Sequence, residues 1–425
     1  MNIYQYPDKK DWAAITQRPS LDAASLEQKV KQILDEVKAT GDAAVKKYTL
    51  QFDGVALDDP AVSEAEINEA ATLLSTELKQ AIRQAAANIE AFHAPQLSPP
   101  TIIETMPGVQ CWRKSVGIEK VGLYIPGGSA PLFSTLLMLG IPAKLAGCRE
   151  IVLCSPPAKD GKLHPAILFA AQTVGVTKIF KAGGVQAIAA MAYGAGAIPR
   201  VYKIFGPGNQ YVTCAKQLVQ HDGTAIDMPA GPSEVAVYAD ETARPAFIAA
   251  DLLSQAEHGP DSQVLLVGSP GLDITAVQQE IAAQLDRLPR KAIAAQALEN
   301  SKIVLLQTEE EAADLLNEYA AEHLIVSCAD PLAFAARIRN AGSIFLGNYS
   351  PESVGDYASG TNHTLPTNGY AKAYSGVSVD SFVKKITFQQ LTPEGLNNIG
   401  RTVEIMAMEE GLEAHANAVR VRMKA

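Results

Sequence analysis

Short apolar segments alternate with helix-like segments in two successive runs, and this alternation constrains the fold more than any other feature of the chain. Apolar residues at helical spacing fill the intervals between the short segments. Such alternation, with loops of a few residues, is typical of a parallel sheet with crossover helices. We therefore predict an α/β fold with two Rossmann-like parallel-sheet domains, whose strands cover 121–125, 150–154, 178–180, 234–238, 263–268, 302–306, 325–328 and 343–346.

The segments that flank the two runs set the predicted domain boundaries. The N-terminal part is rich in Ala, Leu, Glu and Lys and is predicted to form two helices, at 22–50 and 63–93. A linker-like stretch from Phe205 to Ser233 separates the two runs. The predicted units are a helical N-terminal segment, 1–100; a first α/β domain, 101–232; a second α/β domain, 233–366; and a C-terminal helical tail, 367–425.

Composition excludes several classes of function. The chain has 425 residues and a net charge of −10, which argues against nucleic-acid binding because phosphate backbones require clustered Lys and Arg. The longest uncharged run, between Lys120 and Lys144, is broken by Pro and Gly and does not suit a membrane span. The first ten residues are polar, unlike a secretory signal. Five cysteines without a C-x-x-C motif indicate reduced thiols and a cytoplasmic location.

A polar stripe marks the helix predicted at 244–258. Asp251, Gln255 and His258 fall at i, i+4 and i+7 and therefore share one face, while the neighbouring positions are small or apolar. Gly259-Pro260 ends the helix directly after His258. Such a stripe is more often a solvated helix face, but it is also what half of a metal site requires.

Glu322-His323 is predicted to end the helix that Thr308 and Glu311 cap, with His323 near the buried edge and Glu322 toward the outer face. On spacing alone this is a core histidine beside a surface glutamate. The alternative is an acid/base pair at a strand mouth. The order Glu-His, with no second His four residues earlier, excludes the H-E-x-x-H zinc helix.

Two further stretches contain His and carboxylates. Residues 355–363 lie in a predicted long loop, in which Asp356 is either a metal ligand or an ordinary turn residue. Glu410 and His415 lie near the C-terminus, where a histidine is usually solvated. A cysteine-free metal site uses His nitrogen and carboxylate oxygen. Open α/β sheets place their sites at the carboxyl ends of strands, although no G-x-G-x-x-G or P-loop motif indicates a nucleotide here.

Taken together, these stretches closely resemble the histidinol dehydrogenase family. The resemblance covers essentially the whole chain, in the family's order. The segments that carry it are GLYIPGGSAPL (122–132), AGGVQAIAA (182–190), FGPGN (205–209), DMPAGPSE (227–234), DLLSQAEHG (251–259), EHL (322–324), GDYASGTNH (355–363) and EGLEAH (410–415).

The resemblance implies a role for each site residue. It implies one zinc ion and a homodimer in which the C-terminal tail crosses to complete the partner's site, so that the active sites are shared. The reaction implied is the four-electron oxidation of L-histidinol to L-histidine through L-histidinal with two NAD, the last step of histidine biosynthesis. The implied roles are proton transfer by Glu322 and His323; zinc binding by Gln255, His258, Asp356 and His415; substrate binding by Ser233, Gln255, His258, His323, Asp356, Glu410 and His415; and NAD contacts by Tyr124, Gln186 and Asn209.

Two other functions are compatible with parts of this pattern. A relative of the same fold could oxidise another small alcohol, such as a sulfonated diol, although Glu410 and His415 suit an amino-alcohol with an imidazole. A non-catalytic metal-binding or nucleotide-binding module would form no NADH with any alcohol.

Overall fold

The computed structural model describes residues 1–18, 23–127, 131–229 and 231–424. Gly128 and Ser129 of the loop predicted after the first strand, and Ala230 of the DMPAGPSE segment, lie outside these ranges. The strands are β1 (Asn2–Gln5), β2 (Ile103–Met106), β3 (Val109–Gly117), β4 (Lys120–Tyr124), β5 (Glu150–Ser155), β6 (Lys178–Lys181), β7 (Lys203–Phe205), β8 (Ala225–Ile226), β9 (Glu234–Ala239), β10 (Gln263–Gly268), β11 (Lys302–Leu305), β12 (His323–Ser327), β13 (Ser343–Leu346) and β14 (Val383–Leu391).

Helices lie between and around these strands. They are α1 (Trp12–Ile15), α2 (Ala23–Thr40), α3 (Asp42–Asp53), α4 (Glu64–Leu73), α5 (Thr76–His93), α6 (Phe133–Leu145), α7 (Pro165–Val174), α8 (Gly184–Tyr193), α9 (Gln210–His221), α10 (Pro245–Ala256), α11 (Ile274–Leu285), α12 (Lys291–Glu299), α13 (Glu309–Tyr319), α14 (Pro331–Ala335), α15 (Glu352–Tyr357), α16 (Pro393–Glu409) and α17 (Glu413–Met423). In the described part of the chain, no helix is both long and apolar enough to cross a membrane.

Two parallel sheets form the two halves of the molecule, as predicted. The first has the order β6-β5-β4-β7-β8 and the second the order β1-β11-β10-β9-β12-β13. Apart from β1, the strands of both sheets follow the Rossmann order 3-2-1-4-5 when each sheet is numbered along the chain. All six residues of β9 and of β10 are buried, because helices cover both faces of the sheet. This repeated order agrees with the duplication that the two similar runs suggest.

The third sheet is small and antiparallel, with the order β14-β3-β2. The C-terminal tail is attached to it, because α16 begins at the β2–β3 turn. There the backbone N–H of Thr392 donates to the Gly108 carbonyl at 2.9 Å, and the Thr392 hydroxyl caps the helix by accepting from the backbone N–H of Gly395. A Cβ atom at Gly395 would lie 2.1 Å from the Gly108 carbonyl oxygen, so this close approach requires glycine.

Several local predictions were wrong. The N-terminal segment contains β1, which pairs in parallel with β11 at the edge of the second sheet. The stretch interpreted as a linker contains β7, α9 and β8, three elements of the first half. The two predicted N-terminal helices are four: Gly41, with φ of +57°, separates α2 from α3, and Ser75 caps α5 after α4 has ended. Strands of two or three residues, such as β7 and β8, are too short for a periodic pattern to be distinctive.

Candidate active site

A cavity of about 540 Å³ lies between the two halves and is lined by residues of both. The first half contributes the loop 206–209, which follows the carboxyl end of β7. The second half contributes Ser233, directly before β9, and His323, the first residue of β12. The expectation that sites lie at the carboxyl ends of strands is therefore confirmed for the first sheet and wrong for the second sheet.

Glu322 and His323 lie at the start of β12 and not on a helix, which corrects the prediction. Helix α13 ends at Tyr319 because Ala320 adopts a left-handed conformation with φ of +53°. Both side chains line the cavity and both are buried, so Glu322 is not on the outer face. The backbone of Glu234, the first residue of β9, orients them. Its N–H donates to Glu322 Oε2 at 2.9 Å, and its carbonyl oxygen lies 3.2 Å from His323 Nδ1.

Three carboxylates surround the His323 imidazole. Nδ1 lies 3.8 Å from Glu322 Oε2 and 3.6 Å from Glu352 Oε1, and Nε2 lies 3.5 Å from Asp356 Oδ1. Burial lowers the pKa of His323, but these three negative charges outweigh burial and raise it to about 10. Burial raises the pKa of Glu322 to about 7. The site therefore combines an imidazole and carboxyl groups whose proton affinities are far from their usual values, as is common in catalytic sites.

Asp356 lies on the short helix α15, in a segment that the sequence suggested to be an irregular loop. Glu352 precedes it by four residues on the same helix, so the two carboxylates share one face and both line the cavity. Ligand atoms of His323, Glu352 and Asp356 lie within 4.8 Å of one another, close enough to hold a metal ion. Sequence reasoning missed Glu352. The i, i+4 spacing of two acids was the available signal, but it is informative only once the segment is known to be helical.

Gln255 and His258 reach the same cavity from α10 and from the turn that follows it. The helix ends at Ala256, so His258 does not lie on the helix as predicted. Asp251, the third residue of the stripe, is buried but does not line the cavity, and burial raises its pKa to about 7. Asp251 and Gln255 are therefore on a buried face of α10, and His258 alone of the three is exposed.

The cavity wall contains buried polar atoms that have no hydrogen-bond partner among the described residues. A buried polar atom left without a partner is costly, so their concentration in one cavity indicates a ligand. The donor set of amide oxygen, imidazole nitrogen and carboxylate oxygen fits a divalent cation such as zinc. The atoms are Nε2 and Oε1 of Gln255, Nε2 of His323, Oε2 of Glu352 and Oδ1 of Asp356.

Two of the predicted site residues do not reach the cavity, and a histidine that was given no role already has two hydrogen-bond partners. Glu410 and His415 are solvent-exposed in the tail and do not line the cavity of their own chain. His363 does line it, but its Nδ1 lies 2.8 Å from the Asp356 carbonyl oxygen and its Nε2 2.9 Å from Thr135 Oγ1. His363 thus links the backbone of α15 to the Thr135 side chain of α6, and both of its nitrogens have a partner.

A second and larger cavity, of about 1080 Å³, lies at the carboxyl ends of β4 and β5 in the first half. Tyr124, Gln186 and Asn209 all line it, and Asn209 lines the first cavity as well. Gln186 is buried and its Oε1 has no partner among the described residues. Asn209 Oδ1 caps α9 by accepting from the backbone N–H groups of Tyr211 and Val212, so the side-chain nitrogen Nδ2 is the part of Asn209 that remains for a ligand.

Similarity to known proteins agrees with this arrangement. The family model described as Histidinol dehydrogenase matches residues 16–423 of the chain. The chain belongs to the histidinol dehydrogenase family. It is 60% identical over 423 residues to a histidinol dehydrogenase of Bacteroides thetaiotaomicron, covering 100% of this chain and 99% of that protein. A histidinol dehydrogenase of Xanthomonas campestris pv. campestris is 53% identical over 411 residues, covering 96% and 95%.

Among solved structures, the crystal structure of histidinol dehydrogenase from Elizabethkingia anophelis superposes with a TM-score of 0.97 at 54% identity, covering 100% of this chain and 98% of that one. The match extends over both halves and the tail, so this histidinol dehydrogenase shares the whole architecture and not one domain alone.

Proposed function

We propose that the chain oxidises L-histidinol to L-histidine through L-histidinal, with zinc bound in the cavity between the two halves. Each of the two steps transfers one hydride to one NAD and releases one proton, and water adds to the aldehyde between the steps. The observation that carries this proposal is the meeting of the buried Glu322–His323 pair with Gln255, His258 and Asp356 in one cavity. Family membership adds the identity of the substrate.

Gln255, His258 and Asp356 are the zinc ligands we propose from this chain, with His415 supplied by a partner subunit. A divalent cation in that position orients the nitrogen atoms of the substrate, and so fixes the carbinol carbon for hydride transfer. Ser233 lines the same cavity and is placed to contact the substrate. Glu352 is also buried there, and burial raises its pKa to about 8; a cation beside it would favour the ionised form.

His323 accepts the hydroxyl proton in this proposal, through Nε2. Its Nδ1 faces the Glu234 carbonyl oxygen, which leaves Nε2 as the atom directed at the reacting group. The imidazole must be neutral to accept a proton, whereas the three carboxylates favour the charged form. A cation held beside Asp356 and Glu352 would offset those carboxylates and would lower the pKa of His323 toward the range of a base.

Glu322 accepts the proton of the water that adds to the aldehyde. Its Oε2 is held by the Glu234 N–H, which leaves Oε1 free to face the cavity. A carboxyl group with a pKa near 7 suits general base catalysis, because it is a stronger base than an ordinary carboxylate and a large fraction of it is still deprotonated at neutral pH.

NAD binds in the second cavity in this proposal and supplies the hydride acceptor. The Tyr124 hydroxyl accepts from the Gly184 N–H at 3.0 Å and donates to no residue that the structure describes, so its proton is left for a ligand. Gln186 Oε1 and the Asn209 amide group offer one acceptor and one donor in the same wall. Asn209 lies where the two cavities meet, which is where the nicotinamide has to approach the alcohol carbon.

A homodimer with shared sites is the assembly we propose. The tail and the small antiparallel sheet expose many apolar side chains. Single exposed apolar residues are normal on a protein surface, but a large group of them is typical of an interface. These side chains are Ile102, Ile103, Met106, Ile386, Phe388, Leu391, Val403, Ile405, Met406, Met408, Leu412 and Val421. The same tail carries Glu410 and His415, so a crossed tail brings the missing zinc ligand to a partner.

An absorbance assay of NADH formation tests the function. We expect two NADH for each L-histidinol, loss of activity on treatment with a chelator, and recovery on addition of zinc but not magnesium. Zinc should also raise the melting temperature of the chelated protein, and Asp356→Asn should reduce that rise. NADH formation with another small alcohol and none with histidinol would contradict the proposed substrate.

A further inference from the structure

Arg18 and Glu234 form a buried ion pair behind the catalytic residues. The Arg18 guanidinium makes a two-pronged contact, with Nε 2.5 Å from Glu234 Oε1 and Nη2 2.8 Å from Oε2. Nη2 also donates to the Tyr319 carbonyl oxygen at 2.8 Å, and the guanidinium carbon lies 4.0 Å from the centre of the Tyr319 ring. The side chains of Arg18 and Glu234 are 17% and 3% exposed, so solvent screens this pair little.

Glu234 joins this ion pair to the site through its backbone. Its N–H holds Glu322 Oε2 and its carbonyl oxygen faces His323 Nδ1, so one peptide segment orients both residues. Its carboxylate is the anchor of that segment, because it binds Arg18 and also accepts from the backbone N–H of Asn368 at 2.8 Å. A displacement of the Glu234 backbone therefore moves both catalytic side chains together.

Neither Arg18 nor Glu234 is among the residues that line the cavity, so neither touches the substrate in this arrangement. Arg18 belongs to the N-terminal segment, which starts with β1 in the second sheet and continues into α2, packed on α8 and α9 of the first half. Its contact to Glu234 spans 216 positions of sequence. Arg18 therefore fastens the start of β9 at the place where the chain passes from one half to the other.

We propose that Arg18 is a positioning residue, which acts through Glu234 to fix the relative placement of Glu322 and His323. The inference rests on the proposed function only in that it takes these two residues to be the proton-transfer groups. The two-pronged geometry is central, because a planar guanidinium binds the two oxygens of a carboxylate through two separate N–H donors and so fixes its orientation more closely than a single ammonium nitrogen does. Removing this contact leaves the first residue of β9 free to shift along with the groups that it holds.

The test compares Arg18→Met with the double variant Arg18→Met/Glu234→Gln. A displacement near 1 Å lowers a rate about 100-fold, so we expect kcat per zinc-loaded site to fall about 10- to 100-fold in Arg18→Met with both histidinol and histidinal. KM for histidinol should change less than about threefold, because Arg18 does not line the cavity. The double variant has no uncompensated buried charge and should regain much of the melting temperature, while its kcat stays low.

The control is Arg337→Met, the same substitution in the same half of the molecule. Arg337 pairs with Glu309 at 3.6 Å on the surface, with side chains 44% and 53% exposed, and the kinetic constants should not change. A normal kcat per loaded site in Arg18→Met would overturn the inference. Recovery of both melting temperature and kcat in the double variant would also overturn it, because the pair would then serve stability alone.

Glu322→Gln and His323→Ala are assayed in parallel to separate this inference from the proposed function. Full activity in those two variants refutes the proposed catalytic roles. Loss of activity in them, with normal kcat in Arg18→Met, leaves the roles intact and refutes the positioning role of Arg18.

Discussion

Lys216→Met removes one partner of a buried ion pair that holds Gly206, the first residue of the loop 206–209 in the cavity wall. Lys216 Nζ pairs with Asp227 Oδ1 and donates to the Gly206 carbonyl oxygen at 2.9 Å, while Asp227 Oδ2 accepts from the Gly206 N–H at 2.8 Å. Gly206 is thus held at both of its backbone polar groups. It has φ of +128°, and a Cβ atom there would lie 2.0 Å from the Tyr124 carbonyl oxygen, so only glycine fits.

The size of the effect follows from burial. The side chains of Lys216 and Asp227 are 4% and 2% exposed, and removal of one partner of a buried ion pair costs about 3–5 kcal/mol because the other charge is left uncompensated. We expect Lys216→Met to lower the free energy of unfolding by about that amount. Because Gly206 begins the loop that ends at Asn209, KM for NAD should rise in the same variant.

Urea denaturation followed by circular dichroism, at one fixed protein concentration, measures the change. Lys162→Met is the matched control: Lys162 pairs with Glu69 at 3.1 Å with both side chains 52% exposed, and its loss should cost less than about 1 kcal/mol. Lys216→Met/Asp227→Asn should recover part of the loss, since the stranded charge is gone. A Lys216→Met protein as stable as the Lys162→Met control would refute the reasoning.

Three further predictions concern the site itself. Glu322→Gln should slow histidinal oxidation about 10²- to 10⁴-fold while sparing the first NADH from histidinol in a single turnover, and equal losses in both would contradict the water-activating role. In the metal-free protein, ¹⁵N NMR should find the His323 imidazole still doubly protonated at pH 8, because the neighbouring carboxylates raise its pKa to about 10. An unperturbed histidine is neutral at that pH. Titration of His323 near the usual pKa of about 6.5 would contradict this prediction. Mixed His415→Ala and Glu322→Gln subunits should regain about a quarter of normal histidinal oxidation. Half of the dimers formed at random contain one subunit of each kind, and one of the two shared sites in such a dimer is intact. No recovery would mean that the tail stays with its own subunit.

The sheets were predictable because their strands are short, apolar and evenly separated by helices. Strands buried on both faces need nothing but apolar side chains, so runs such as Val235–Ala239 are recognisable without any knowledge of their neighbours. By contrast β1 is mostly exposed and lacks a buried apolar run, and β8 has only two residues, so both are defined by the strand beside which they lie. Neither pattern separates a strand from a loop.

The site residues were predictable only in part, for a related reason. The resemblance identified Gln255, His258 and Asp356, and the structure brings all three to one cavity. The predicted helix through Glu322-His323 was wrong because the left-handed turn at Ala320 has no sequence signature: alanine is a strong helix former and rarely adopts this conformation. The partnership of Arg18 with Glu234 depends on packing between distant parts of the chain, which local sequence patterns do not record.

Asn209 forms part of the wall of both cavities, and this has a consequence for an enzyme that uses two dinucleotides per substrate. In the proposed arrangement, spent NADH leaves and fresh NAD enters through the cavity of the first half, while the aldehyde stays bound in the cavity between the halves. The two oxidations can then proceed in sequence without release of the intermediate.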